Sequence, residues 1–178
     1  AEAISQFQKS NSKVFFSALL RINKQVGVPL SFSQQRLWFL DQLEPGTATY
    51  NLSKIIRLKG KLEVSALQQA LQAVVDRHEI LRTSFVSENG QVSQQITSSL
   101  QADLPLIDLS NFSADYRQAE EMRLIAQATE TPFDLSQAPL WRLHLLRLNE
   151  SEHLLIIVFH HIISDGWSME ILIKELLV

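Results

Sequence analysis

Apolar side chains recur with helical spacing over Ser65–His78, and this stretch is the clearest helix that the sequence predicts. The spacing places these side chains on one face, which we expect to pack against the core. Ser65 and Gln68 have the spacing of a capping box at the start of this helix. The apolar stripe consists of Leu67, Leu71, Val74 and Val75, and His78 continues it as a core or capping residue.

Three further stretches have helical patterns. Gln34–Leu43 predicts a short helix with Ser33 as its N-cap, and Asp115–Thr129 predicts a longer one. A last helix is expected from Gly166 onward, after the turn formed by the residues that precede it. These helices are separated by strand-like runs, so neither a purely helical bundle nor an all-strand fold is expected.

The strand-like runs are short, apolar and bounded by turn residues, which is typical of β-structure. Asn89-Gly90 between two of them is a strong hairpin signal. Strands are predicted at Tyr50–Leu58, Thr83–Val86, Gln91–Ile96, Leu104–Leu109, Leu140–Leu148 and His153–His160. Helices mixed with hairpin-connected strands predict an α+β fold, a mixed-sheet α/β sandwich, rather than a doubly wound parallel sheet.

The chain divides into two parts at residue 28. Residues 1–28 are expected to be a linker or docking segment, compatible with one short helix at Val14–Ile22, and residues 29–178 a single domain. The net charge of −3 argues against binding to nucleic acid. The chain has no Cys, no apolar run of membrane-spanning length and no signal-peptide pattern, so we expect a soluble, cytoplasmic protein without membrane contact.

The end of the last predicted strand carries candidate chemistry. His160 and His161 are adjacent on this strand, so their side chains should point to opposite faces and do different work. A tight turn at Asp165-Gly166 follows, and an imidazole held at such a place can take up a proton near neutral pH. The alternatives are a hydrogen-bonded core histidine and an Asp that only forms the turn. A metal site is disfavoured because the two rings point apart.

Three segments in this order resemble the first three signatures of the condensation domains of nonribosomal peptide synthetases. They are Ser31–Leu40 (SFSQQRLWFL), Arg77–Phe85 (RHEILRTSF) and His160–Ser168 (HHIISDGWS). The resemblance implies one lobe of a two-lobed, chloramphenicol acetyltransferase-like fold with a substrate tunnel between the lobes. Residues 29–178 would be the N-terminal lobe, with the second lobe absent from this chain.

The resemblance also implies a reaction and its partners. An aminoacyl group on a downstream peptidyl carrier protein would attack the acyl or peptidyl thioester on an upstream one, forming an amide. The expected partners are the two carrier domains, an adenylation domain of the same module and the missing C-terminal lobe. No cofactor is expected on this lobe, since the substrates arrive on the phosphopantetheine arms of the carriers. An ester-forming acyltransferase of the same His-His-x-x-x-Asp-Gly type and a non-catalytic carrier-binding platform remain as alternatives.

The same resemblance implies roles for individual residues. His161 would be the catalytic residue, and His160 would pack or hydrogen-bond beneath the loop. Asp165 would form a buried ion pair with Arg82. Gly166 would let the substrate or the backbone come close, and its N–H would be a donor to the active site. The next residues, Trp167 and Ser168, are further candidates.

Five other positions are less informative. Leu37 and Trp38 are expected to be core residues. Arg36 could either line the path by which the donor substrate approaches or lie on the solvated surface. The remaining two histidines, His144 and His153, lie on or beside strands without a partner motif and are assigned no function.

Overall fold

The computed structural model describes residues 27–176. The predicted linker or docking segment, with its short helix, therefore lies almost entirely outside the described residues. Val28, which was placed in that segment, instead pairs with Gln94 in a two-residue strand.

The helices lie where the pattern places them, although two of the expected caps are wrong. Helix α1 is capped by Ser31 rather than Ser33, since the Ser31 hydroxyl accepts from the Gln34 N–H and the Gln34 side chain accepts from the Ser31 N–H. Helix α2 has no side-chain cap at its N-cap, and Gln68 donates instead to the Ala102 carbonyl. The helices are α1 (Phe32–Leu43), α2 (Val64–Arg77), α3 (Ala114–Glu130) and α4 (Gly166–Leu176), with a 3₁₀ turn at Glu79–Arg82.

The strands form two sheets, which confirms the mixed-sheet α+β fold class. The described strands are β1 (Val28–Pro29), β2 (Asn51–Lys59), β3 (Thr83–Glu88), β4 (Gln91–Ile96), β5 (Leu106–Asp108), β6 (Trp141–Asn149) and β7 (Glu152–His160). The larger sheet has the order β2-β7-β6-β5, and the smaller has the order β1-β4-β3. β5 runs parallel to β6, whereas the other pairs are antiparallel. Asn89 and Gly90 both have positive φ, as the predicted hairpin turn requires.

Strand β7 lies in the middle of the larger sheet and is buried on both faces. One face packs in the main core with α2 and α4 and carries Leu155, Ile157 and Phe159. The opposite face packs in a second core with α3 and carries Leu154, Ile156 and Val158. This alternation confirms the sequence prediction, and it means that the residues at the end of β7 are held by packing from both sides.

Candidate active site

His161 directly follows β7 and lies at its exposed end. Its backbone N–H donates to the carbonyl of Tyr50 at 2.8 Å, which continues the pairing of β2 with β7. Its Nδ1 lies 2.7 Å from the Ser164 carbonyl oxygen. A carbonyl oxygen can only accept, so Nδ1 must carry the proton in this hydrogen bond. The lone pair of the neutral ring is therefore on Nε2, which is the arrangement that a general base needs.

His160 is the buried member of the pair, with 2% of its surface exposed. Its Nδ1 accepts a hydrogen bond from the Ile162 N–H at 3.1 Å, and the rings of Tyr50 and Phe133 meet it edge-on. Burial, aided by the neighbouring charge of His161, lowers the pKa of His160 to about 4. The ring is neutral near pH 7 and packs beneath the loop, in the place that the sequence analysis expected for a supporting residue.

Asp165 forms the N-cap of α4. Its carboxylate accepts from the Ser168 N–H at 2.8 Å and from the Ser168 hydroxyl at 2.6 Å, and its own N–H donates back to that hydroxyl at 2.8 Å. These bonds, first of all that from the hydroxyl, lower the pKa of Asp165. The reciprocal pair is a capping box, which fixes the turn between His161 and α4. Ser168 is therefore the second member of this capping box and helps to hold the turn in place.

Arg82 is buried, with 8% of its surface exposed, and its guanidinium donates to backbone carbonyls. Its Nε lies 3.0 Å from the Val75 oxygen near the end of α2, while Nη1 reaches the chain that follows β4. The acceptors are the carbonyl oxygens of Val75, Asp76, Thr97 and Ser98. A guanidinium carries five donors in a fixed planar arrangement, which suits it to joining two backbone segments.

The expected ion pair between Arg82 and Asp165 is therefore wrong. The carboxylate is used by the first turn of α4, and the guanidinium is used by carbonyl groups of α2 and the segment after β4. Both groups are satisfied locally, so neither needs the other.

Gly166 and Trp167 are the first residues of α4 and lie open to solvent. A Cβ at Gly166 would meet no atom within 4 Å, so no backbone approaches this glycine closely among the described residues, and the close approach of a substrate stays a prediction. Trp167 is 79% exposed, and Phe32 at the start of α1 is 91% exposed. Both are large apolar side chains that lie almost fully in solvent in this structure.

A cavity of about 620 Å³ lies between α1 and the loop after β7. Arg36 and Leu37 line it from α1, and Tyr50 lines it beside His161. Leu37 and Trp38 also pack against the main core, as predicted. Tyr50 could not be identified as a site residue from the sequence, because its place depends on the register of β2 against β7, in which Asn51 lies opposite His160. The full lining is Ser31, Ser33, Gln34, Arg36, Leu37, Leu40, Tyr50, Ile80, His161–Asp165 and Ser168.

Residues 27–176 hold neither a cluster of metal ligands nor a membrane-spanning helix. No group of three or more His, Cys, Asp or Glu side chains in this part of the chain could hold a metal ion. None of the helices described there is long and apolar enough to cross a membrane.

Replacing Asp165 tests its role as a cap. We expect Asp165→Ala to lower the free energy of unfolding by about 1 kcal/mol, because α4 loses its N-cap, and Asp165→Asn to retain most of it, since Asn caps about as well as Asp. Urea denaturation of both variants measures the difference. Equal losses in the two variants would show that the negative charge matters, in contradiction to a capping role.

Acid should destabilise the fold through its buried histidines. His160 has its pKa lowered, and so has His153, which is 3% exposed with no partner for either ring nitrogen among the described residues. In the unfolded chain each of these imidazoles takes up a proton near pH 6.5, whereas in the folded chain it stays neutral to a lower pH. The free energy of unfolding is therefore highest above pH 6.5 and falls as the pH drops towards 4. For His160 the loss is on the order of 3 kcal/mol.

A leucine in place of His153 isolates part of this effect. Leucine has about the volume of histidine but no polar ring atom that needs a partner. We therefore expect His153→Leu to be as stable as the parent at pH 8, and to lose less stability than the parent when the pH is lowered to 5. Urea denaturation at the two pH values measures both. Unchanged pH dependence in the variant would mean that His153 is not titrating on unfolding.

Two known synthetases resemble most of this chain in sequence. One component of the linear gramicidin synthase of Brevibacillus parabrevis is 46% identical over 158 residues, which are 89% of this chain and 3% of that protein. Phosphinothricin tripeptide synthetase of Streptomyces viridochromogenes is 46% identical over 149 residues, 84% of this chain and 14% of that protein. The chain thus spans only a small part of these relatives.

Solved structures show the same fold. The starter condensation domain of rhizomide synthetase matches with a TM-score of 0.77 and 26% identity, over 84% of this chain and 36% of that one. The X-domain in complex with OxyB from teicoplanin biosynthesis matches with a TM-score of 0.76 and 33% identity, over 89% of this chain and 33% of that one. The family model described as "Condensation domain" matches residues 24–178. This chain therefore belongs to the condensation-domain family of the nonribosomal peptide synthetases.

Proposed function

We propose that this chain supplies the catalytic histidine of a domain that forms amide bonds between two carrier-bound substrates in nonribosomal peptide synthesis. The donor is an acyl or peptidyl thioester, and the acceptor is an aminoacyl group. The observation that carries the proposal is the hydrogen bond from His161 Nδ1 to the Ser164 carbonyl. It leaves Nε2 as the unprotonated atom of a ring that lines an open cavity.

The chemistry that this arrangement supports is acyl transfer by addition and elimination. The acceptor's nitrogen attacks the thioester carbonyl carbon and forms the C–N bond, while Nε2 of His161 accepts a proton from that nitrogen. The protonated ring also lowers the energy of the negative charge that develops on the carbonyl oxygen. The carbonyl then re-forms as the C–S bond breaks, and the departing sulfur takes the proton from Nε2 and leaves as a thiol, which returns His161 to its neutral form.

The neighbouring residues act by holding His161 in place. His160 supports the loop from below, and the Asp165–Ser168 capping box fixes the turn that carries the Ser164 carbonyl. Arg82 joins α2 to the segment after β4 and so stabilises the core on which α4 packs. We assign these groups to positioning and only His161 to the reaction.

The partners follow from the same proposal. The exposed Phe32 and Trp167 would contact the second lobe, which closes the cavity into a tunnel. Upstream and downstream peptidyl carrier domains would deliver the substrates on phosphopantetheine, and an adenylation domain would load the acceptor. We expect this assembly to work in the cytoplasm.

A second candidate, a non-catalytic binding platform, is favoured by one observation: a related X-domain of 33% identity is found in a complex with OxyB.

The two candidates differ in whether bonds are made. In the full-length module, with both carriers loaded, amide formation requires that the mass of the acyl group move to the acceptor carrier. Carriers that bind without transfer would support the platform. Transfer to a hydroxy-acid acceptor but not to an amino-acid acceptor would support an ester-forming enzyme.

A further inference from the structure

A cluster of three side chains, which we call the clasp, joins the end of α2 to the last turn of α4. It consists of Arg77, His78 and Glu175. One oxygen of the Glu175 carboxylate lies 2.7 Å from Nε2 of His78 and 3.3 Å from Nη1 of Arg77. The hydrogen bond from His78 lowers the pKa of Glu175. Because an ionised carboxylate only accepts, Nε2 of His78 carries a proton in this hydrogen bond.

Glu175 lies at one end of a face of α4 that begins beside the active-site loop. Ser168, Leu172 and Glu175 have the spacing that places side chains on the same face of a helix. Ser168 belongs to the capping box that fixes the turn carrying the Ser164 carbonyl. The clasp therefore lies at one end of this face, and the carbonyl that orients His161 lies next to the other end.

Between its two ends this face of α4 is not closely packed. A cavity of about 200 Å³ lies between α4 and the turn that follows α2, lined by His78 on one side and by Ser168 on the other. Ile80 and Ile163 line both this cavity and the larger one that contains His161. Side chains that border a cavity make fewer contacts, so packing alone fixes the position of α4 less well here than a directional hydrogen bond does.

The part of the fold to which the clasp attaches is held independently of the active-site loop. His78 is the C-cap of α2, and its N–H donates to the Val74 carbonyl at 3.0 Å. The 3₁₀ turn after it ends at Arg82, whose buried guanidinium joins α2 to the segment after β4. The contact with Glu175 therefore positions α4 relative to a fixed base.

We propose that the clasp positions His161: by holding α4 against the end of α2, it fixes the Ser164 carbonyl that accepts from the His161 ring. The inference rests on the function proposed above, in which this ring accepts a proton. His78 and Glu175 are positioning residues, since neither lines the cavity that contains His161. A shift of the carbonyl turns Nε2 away from the attacking nitrogen, and a misplacement of about 1 Å can cost about 10²-fold in rate.

The test uses Glu175→Ala in the full-length module, which removes the clasp and leaves the lining of the His161 cavity intact. We expect kcat for amide formation to fall about tenfold, while KM for the donor and acceptor carriers is unchanged. Glu175→Gln keeps an acceptor oxygen at the same distance from the backbone and should recover most of kcat. His78→Ala should give the same loss as Glu175→Ala, and the double variant no further loss, because the two side chains act as one unit.

The matched control is Arg57→Ala, which breaks another contact between distant elements. Arg57 lies 2.9 Å from Glu121 on α3 and 3.0 Å from Glu152 on β7. Its loss should lower the midpoint of urea denaturation about as much as Glu175→Ala does, but leave kcat unchanged. Equal losses of kcat in the two variants, additive losses in the double variant, or a loss that appears as a raised KM would overturn the inference.

Hydrogen–deuterium exchange keeps this inference separate from the proposed function. The N–H groups of Ser168 and Met169 both bond to Asp165 in the first turn of α4. In the full-length module they should exchange about three- to fivefold faster in Glu175→Ala than in the parent, and at the parental rate in Arg57→Ala. Faster exchange in a module that forms no amide would uphold the clasp and refute the function. Amide formation with unchanged exchange and unchanged kcat in Glu175→Ala would do the reverse.

Discussion

Arg82→Ala is expected to lower the free energy of unfolding by about 3 kcal/mol or more, the largest stability loss of any single change considered. The guanidinium is buried and donates to carbonyl groups of two separate segments, near the end of α2 and after β4. Alanine leaves these acceptors without donors inside the fold and leaves a cavity as well. Urea denaturation at pH 7 measures the loss.

A double-mutant cycle separates this account from the ion pair that the resemblance implied. Arg82→Ala and Asp165→Asn should be additive within about 0.5 kcal/mol, because the two side chains share no partner. A coupling energy above about 1 kcal/mol would restore the ion pair. Arg82→Lys serves as the matched control, since it keeps the charge but not the planar set of donors, and we expect it to lose most of the same stability.

His161→Ala is expected to reduce amide formation in the full-length module by about 10²- to 10⁴-fold, the usual contribution of a positioned general base. The side chain is exposed, so its removal should change stability by no more than about 0.5 kcal/mol. Loading of the acceptor carrier should be unaffected, because it does not use this cavity. Single-turnover rates with preloaded carriers isolate the bond-forming step from loading.

The matched control for this substitution is His144→Ala. His144 lies on β6, lines a different cavity, and is partly buried. It should leave the rate of amide formation unchanged. Equal rates of amide formation in the parent and in His161→Ala would remove His161 from the mechanism.

The sequence was most informative about the element that carries the site. The apolar run of β7 and the period of two predicted correctly that His160 and His161 face different environments, one buried and one exposed. Strand periodicity is a local property, so it can be read without the rest of the fold. The same holds for the positive-φ turn at Asn89-Gly90.

Contacts between distant segments could not be predicted. The resemblance gave Arg82 a partner in Asp165, but Arg82 donates to carbonyl groups such as that of Thr97, which the fold brings near, and Asp165 is engaged three residues along the chain by Ser168. Tyr50 was missed for the same reason, since it meets His161 through the pairing of β2 with β7. The cap at Ser31 was missed by two residues because both Ser31 and Ser33 have the right chemistry, and the reciprocal hydrogen bonds between Ser31 and Gln34 decide where α1 begins.

The mass of the species on the acceptor carrier after a single turnover tests the central claim most directly. With the donor thioester and the aminoacyl acceptor both preloaded in the full-length module, we predict that the acceptor gains the acyl mass through an amide bond. We predict further that this product is lost in His161→Ala, while both carriers remain loaded. A parent module that leaves both substrates unchanged on their carriers, or a variant that forms the product at the parental rate, would contradict the claim.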